Sequence, residues 1–178
     1  MFKLFRPSME HRLAFYEMAI DYKDSSDGDR RYYKEIANRQ FDYLEYIRRL
    51  YNYSLGIGLP NGLTPYDTFW MMKDDKRTIF AVSRLRHVLN EVSVKEGGHI
   101  GYDVPPSYRR QGFGTELLRL TLKEAALIGL KRVLVTCDFD NVGSAKIIIK
   151  NGGILENQMV SDYSGKLVNR YWIDIYNP

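Results

Sequence analysis

The residues best arranged to do chemistry run from Val104 to Thr115, reading Val-Pro-Pro-Ser-Tyr-Arg-Arg-Gln-Gly-Phe-Gly-Thr. Arg109 and Arg110 are followed closely by Gly112 and Gly114, so positive charge and bare backbone lie together. The apolar run before them, His99 to Val104, reads as a strand, and Thr115 to Ile128 repeats leucine and alanine at helical spacing. A strand, a basic glycine loop and a helix in that order aim the first-turn N–H groups at one point. Those groups have no acceptor within the helix, and the positive end of the helix dipole stands behind them. The two glycines let a ligand approach the main chain. The chemistry this predicts is binding of a phosphate or pyrophosphate.

Two familiar phosphate loops do not fit. A P-loop needs Gly-x-x-x-x-Gly-Lys-Ser/Thr, which is absent. A dinucleotide fingerprint needs a third glycine where Leu117 stands, although Asp138 falls near the end of the next strand, where a ribose-binding acid would sit. The segment Arg109-Arg-Gln-Gly112-Phe-Gly114 does fit Arg/Gln-x-x-Gly-x-Gly/Ala. Here the chain resembles the GCN5-related N-acetyltransferase (GNAT) family, from about Phe69 to Ile175. The resemblance implies an α/β fold: a central, mostly antiparallel sheet with one splayed parallel strand pair, flanked by helices. It implies that Arg109, Arg110, Gln111, Gly112, Phe113, Gly114 and Thr115 form the loop holding the pyrophosphate of acetyl-CoA through backbone amides. It also implies that Tyr102 and Val104 pair with the pantetheine arm through their main chain. Asn141-x-x-Ser144 resembles the family's Asn-x-x-Ala/Ser segment, whose Asn approaches the pantetheine or adenosine side of the cofactor. The residues themselves serve equally well as a helix cap at Asp140 or Asn141. No metal is implied.

Composition fits these expectations. A length of 178 residues suits one domain, 1–178, with helices over about 8–53 and a cofactor-binding core over about 68–175. Hydrophobic content of 44% is ordinary for a globular chain, and no apolar run approaches the length of a membrane span. The first residues, Met1 to Pro7, lack a signal-peptide apolar segment, and Cys137 is the single cysteine. A reducing cytoplasm is the expected location. The net charge of +4 suits a polyanionic cofactor but is too mild for a nucleic-acid stripe. The expected partners are therefore acetyl-CoA and an amine-bearing small molecule or peptide, without nucleic acid or membrane. A homodimer is left open by the resemblance.

These elements must position the loop. Ser8 is placed to cap a helix running to about Tyr22, with Leu13, Tyr16, Met18 and Ile20 as apolar positions. Asp24 to Asp29 reads as a loop. One longer helix is expected from about Arg30 to Tyr53, because Tyr33, Ile36, Ala37, Phe41, Leu44, Ile47 and Leu50 or Tyr51 form a single stripe. Gly56 to Pro65 is a loop that in the family often borders the acceptor pocket. Thr68 to Lys73 and Thr78 to His87 form a hairpin turning at Asp74 to Arg77. Gly101 suggests a bulge that splays its strand. Arg132 to Thr136 is a buried strand, made parallel to the earlier one by the helical crossover, and Gly129 ends that crossover helix. A short helix covers Val142 to Asn151, and a closing hairpin covers Leu155 to Ile175.

Acetyl transfer from a thioester to an amine requires a base, an oxyanion donor and, for the leaving thiolate, an acid. His87 and His99 titrate near neutrality and flank the expected cleft, with Glu91 in the connection between them, so these three are the candidate bases. Each has an ordinary alternative, a hydrogen-bonded histidine or a solvated acid. Many family members carry a Tyr at the position matched here by Ile148, which cannot donate a proton; either another group such as Tyr163 or Tyr171 substitutes, or the thiolate leaves unassisted. Arg84 and Arg86 either bind an acidic acceptor or flank the sheet. Tyr66, Phe69, Trp70, His87, Tyr171 and Trp172 are expected around the acceptor. Cys137 reads as a packing residue at a strand end. Two other classes compete: an acyl-CoA-binding sensor of the same fold without turnover, and a nucleotide-binding oxidoreductase, against which the absent third glycine argues.

Overall fold

Period-two alternation in two adjacent strands, β2 (Tyr66–Met72) and β3 (Ala81–Arg86), sets the layers of the molecule. The computed structural model describes residues 1–23, 31–38, 40–162 and 164–175. Tyr66, Thr68 and Trp70 lie opposite Arg86, Arg84 and Val82, while Asp67, Phe69 and Met71 lie opposite Leu85, Ser83 and Ala81. Cross-strand partners share a face, so Arg84, Arg86, Tyr66 and Thr68 point one way with Trp70 and Val82, and mostly apolar groups the other. β1 (Lys3–Phe5) and β4 (Ile100–Asp103) complete this four-stranded antiparallel sheet in the order β1-β2-β3-β4.

The first face is covered by three helices, α1 (Arg12–Asp21), α2 (Arg31–Ala37) and α3 (Tyr43–Ser54). Phe15, Met18 and Tyr46 pack there on Trp70, Met72 and Val82. The second face is covered by α4 (Phe113–Leu127), whose Leu117 meets Met71 and Ala81 and whose Leu118 joins Phe69 and Leu85. A buried hydrogen bond from Thr121 Oγ1 to Ser83 Oγ, 2.8 Å, fixes α4 to β3. β5 (Arg132–Asp138), α5 (Val142–Lys150), β6 (Ile154–Val160) and β7 (Leu167–Asp174) follow, and their strands form a second antiparallel sheet in the order β5-β7-β6.

The expected parallel pair is β4 and β5, joined by the α4 crossover. They belong to different sheets, so the splay is complete over their length. The sheets meet just before β4 begins. His99 N–H donates to Leu134 O at 2.7 Å, and Leu134 N–H donates to His99 Nδ1 at 2.9 Å. A Cβ on Gly98 (φ 59°) would lie 2.3 Å from Leu134 O, so only glycine permits this approach.

Several expectations need correction. The β3–β4 register runs unbroken through Gly101, pairing it with Arg84, so the splay does not come from a bulge there. The register shift falls instead in β6, between Leu155 and Asn157. The long helix after Arg30 is two helices. Asp42 breaks it by accepting from Leu44 N–H (2.8 Å) and Glu45 N–H (3.3 Å), a cap that satisfies the orphan donors of α3. The buried face of α3 centres on Tyr43 and Tyr46, while Leu44 is exposed. In α1 the buried positions are Ala14, Phe15, Met18 and Ala19, and Leu13 and Ile20 face outward. Ala14 and Ala19 pack into the aromatic cluster around Phe15, Tyr22 and Trp70, so packing overrides the apolar count. Ser8 precedes a 3₁₀ turn, Met9–His11, and its hydroxyl bonds His11 Nδ1 at 3.1 Å and not a backbone amide. The loop expected over 24–29, and Tyr163, lie outside the described residues.

Candidate functional site

The predicted phosphate loop opens onto a cleft of about 650 Å³ between the end of β4, the start of α4 and the start of α5. That size suits a cofactor arm. Gly112 caps α4 in the left-handed region, at φ 87°, and Arg110 before it takes φ 59°. This pair of left-handed residues turns the chain so that the first-turn amides of α4 face the cleft, where helix geometry leaves them without intrahelical acceptors. Arg109 is fastened to the strand end, its Nε donating to Val104 O at 3.0 Å. Ser107 is anchored through its N–H to Asp21 at the end of α1, 3.0 Å.

The two loop glycines serve different ends. Gly112 supplies the left-handed turn and has open space around it. Gly114 supplies closeness: a Cβ there would lie 2.6 Å from Ile147 Cδ1, so α4 and α5 nearly touch beneath the loop.

Nine of the eleven residues expected to hold the cofactor line this cleft: Tyr102, Val104, Arg109, Arg110, Gly112, Gly114, Thr115, Asn141 and Ser144. Gln111 and Phe113 do not. Gln111 turns back to donate to Ser107 O at 2.9 Å, bracing the loop. Phe113 turns under it, with its ring centroid 5.1 Å from Phe80 and 5.4 Å from Phe2. Asn141 caps α5, its Oδ1 accepting from Ser144 N–H at 2.9 Å, and also lines the cleft. Sequence reading missed Lys146 and Lys150, which add two cations to the lining. Their four-residue spacing on α5, in step with Gly143 and Ile147, was the available sign of a shared face.

The profile of the acetyltransferase (GNAT) domain matches residues 12–154. The chain belongs to the GNAT acetyltransferase family. Among solved structures it is similar to RimL, a ribosomal L7/L12 alpha-N-protein acetyltransferase in complex with coenzyme A. Identity is 17% over 98% of this chain and 94% of that one, at a TM-score of 0.67. It is also similar to the microcin C7 self-immunity acetyltransferase MccE in complex with acetyl-CoA and AMP, at 15% identity, 98% and 92% coverage and a TM-score of 0.64. A third is a chimera of the spermidine N-acetyltransferase SpeG of Vibrio cholerae, at 15% identity, 97% and 95% coverage and a TM-score of 0.64. At these identities the likeness establishes the fold. A comparison with curated proteins gave no significant match.

For a GNAT chain the fate of the acid and base positions matters. Ile148 is fully buried in the core beneath α5. Tyr102 brings a hydroxyl into the cleft, reaching from β4 to Ser144 Oγ on α5 at 2.6 Å. Burial pushes its phenol up to about 12, so it stays protonated. Tyr171 is buried in the core, and burial pushes its phenol up too. Cys137 is 8% exposed, and burial raises its thiol, which leaves it a packing residue.

The three candidate bases do not come together. His99 is 7% exposed, and its Nδ1 is committed to Leu134 N–H. Burial, then Arg86, lowers it to about 4, so it is neutral and holds the strands. Glu91 is exposed on the turn after β3. His87 keeps a partner, Nε2 lying 3.2 Å from Asp67 Oδ2, and remains partly exposed. Of the groups expected around the acceptor, Trp70 and Phe69 are core, and Trp172 lies under the Arg132 guanidinium. Only Tyr66 among them lines the second cavity, described below. No described helix is long and apolar enough to cross a membrane.

Proposed function

We propose that the protein is an N-acetyltransferase that moves the acetyl group of acetyl-CoA directly to an amine, both substrates being held at once. The observation that carries this is the cleft itself. Left-handed Gly112 turns the amides of α4 toward a space lined by Arg109, Arg110, Lys146 and Lys150. Four cations and a helix N-terminus suit a pyrophosphate and its neighbouring phosphate, each contact being charge-assisted. The cleft continues from the loop to β4, where Tyr102 in the strand and Val104 just past its end line it on the side that β5 leaves open. A pantetheine arm laid there meets main-chain groups that no second strand occupies.

In this reading Tyr102 is the acid. Its hydroxyl hangs in the cleft, is protonated at every working pH, and shares a hydrogen bond with Ser144 through which a proton can be replaced. The thioester C–S bond breaks as the amine nitrogen bonds the carbonyl carbon. The phenol proton passes to the sulfur, giving free coenzyme A, and the excess amine proton passes to the base. His87 fits the base best, with Asp67 orienting its ring, and Asp67 is itself held by Arg6 at 2.7 Å. The competing reading, an acyl-CoA sensor without turnover, draws on Ile148, which leaves the family's usual acid position without a proton.

Calorimetric titration with acetyl-CoA tests the proposal, comparing the wild type with Gly112→Asp/Gly114→Asp. Micromolar binding lost in the double variant supports it, and an acceptor screen reading free-thiol release then separates transferase from sensor. No binding to the wild type refutes both.

A further inference from the structure

A second cavity, about 600 Å³, lies on the opposite face of the first sheet, between β2–β3 and helices α2 and α3. β4 stands between the two. Its Asp103 lines the cofactor cleft while its carboxylate binds Arg84 of the second cavity. The walls carry Arg49, Arg84 and Arg86 with a single acid, Glu35. Tyr46, Tyr53 and Tyr66 form much of the remainder.

Charge in this cavity is not balanced. Glu35 answers Arg49 at 2.9 Å, and Asp103 answers Arg84. No carboxylate of the described residues makes an ion pair with Arg86. Its Nη1 instead donates to the carbonyl oxygens of Gly97, at 3.2 Å, and Gly98, at 2.9 Å. Those bonds steady the guanidinium and leave its charge uncompensated. Burial, then neighbouring Arg84, lowers its proton affinity, as expected of a cation short of a partner. A second observation points the same way. Thr68 is 7% exposed and lines this cavity, and its hydroxyl has no hydrogen-bond partner in the protein. A buried hydroxyl and a partly buried guanidinium in one cavity both lack what an oxyanion supplies.

We propose that this cavity binds an oxyanion, a carboxylate or a phosphate, on the acceptor molecule, with Arg86 and Thr68 as its partners. The identification of the bound molecule as the acceptor rests on the transferase reading above; the anion site itself does not. A polyamine acceptor is disfavoured, since its cations would sit beside an unpaired guanidinium. The tyrosines suit the apolar or planar body of such an acceptor, and burial keeps Tyr46 and Tyr66 protonated as hydrogen-bond donors.

The test is calorimetry at low salt without cofactor, using glycyl-aspartate, O-phosphoserine and spermidine as probes. The expected result is binding of at least one anionic probe, weakened by added salt and weakened about 10-fold or more by Arg86→Met, the loss of a charge-assisted bond. The glycyl-aspartate and O-phosphoserine arms decide between carboxylate and phosphate. Arg49→Gln, at a half-exposed position that tolerates change, leaves Glu35 unanswered and is expected to weaken the same probe; it keeps the test open should Arg86→Met fail to fold. Gly112→Asp is expected to leave probe binding unchanged, because it touches only the cofactor loop. Tighter binding of spermidine, no binding of either anion, or anion binding indifferent to both arginine variants overturns the proposal. Anion binding without any acetyl-CoA binding keeps the site and removes the transferase reading.

Discussion

Lowering the pH from about 7.5 to about 5 is expected to weaken the join between the two sheets, because His99 must be neutral to accept the Leu134 N–H. Burial, with Arg86 second, holds its pKa at about 4 against an ordinary 6.5. The unfolded chain therefore binds a proton near pH 6.5 that the folded chain refuses until about 4. The stabilisation is complete above the unfolded value and is lost as pH falls through the folded one. Its full size is ~3 kcal/mol, at about 1.4 kcal/mol per pH unit of difference. By about pH 5 roughly 2 kcal/mol of it is gone, before most carboxylates titrate. For a chain of this length that is a fall of about 4–8 °C in Tm. Urea denaturation followed by far-UV circular dichroism measures it directly. The comparison protein is His99→Asn, whose amide oxygen can accept the same N–H and does not titrate. His11 is also buried, with its pKa lowered chiefly by burial, so the wild-type loss alone does not isolate His99. The difference between the two proteins does. Equal pH dependence in wild type and variant would refute the assignment of His99 to the join.

Other outcomes follow from single residues. Gly98→Ala is expected to cost at least about 2 kcal/mol in chemical denaturation, since the new Cβ meets backbone at a left-handed position; a loss below about 0.5 kcal/mol would mean the sheets are free to shift apart. Asp42→Ala removes the cap that separates α2 from α3 and is expected to lower stability by about 1 kcal/mol, read as a small drop in Tm. Tyr102→Phe is expected to lower kcat about 10- to 100-fold with little change in KM for acetyl-CoA, and an unchanged kcat would leave the thiolate departing unassisted. His87→Gln is expected to lower kcat/KM about 100-fold if His87 takes the amine proton, and an unchanged kcat/KM assigns the base elsewhere.

Local chemistry wrote much of this protein into its sequence. The order strand, Arg-Arg-Gln-Gly-Phe-Gly, helix was legible because phosphate binding by a helix N-terminus needs only a few adjacent residues. The hairpin of β2 and β3 and the crossover through α4 followed from periodicity and from the geometry of chain reversal. Tertiary packing decided the rest. Leu13 and Ile20 were read as apolar helix positions, yet Ala14 and Ala19 are the buried ones, because the helix turns that side to the cluster around Phe15 and Trp70. The splay was read into Gly101, but the register is unbroken there; β4 and β5 part beyond the join where Gly98 and His99 meet Leu134, a contact between segments far apart in the chain. His99 looked like a base until burial and one backbone amide fixed it as a neutral acceptor. Lys146 and Lys150 join the cleft through the packing of α5 beside the start of α4, where Ile147 lies against Gly114. The unpaired charge of Arg86 could not be read at all from the sequence. It depends on which carboxylates two other elements, α2 and β4, bring near, and they bring them to Arg49 and Arg84 instead.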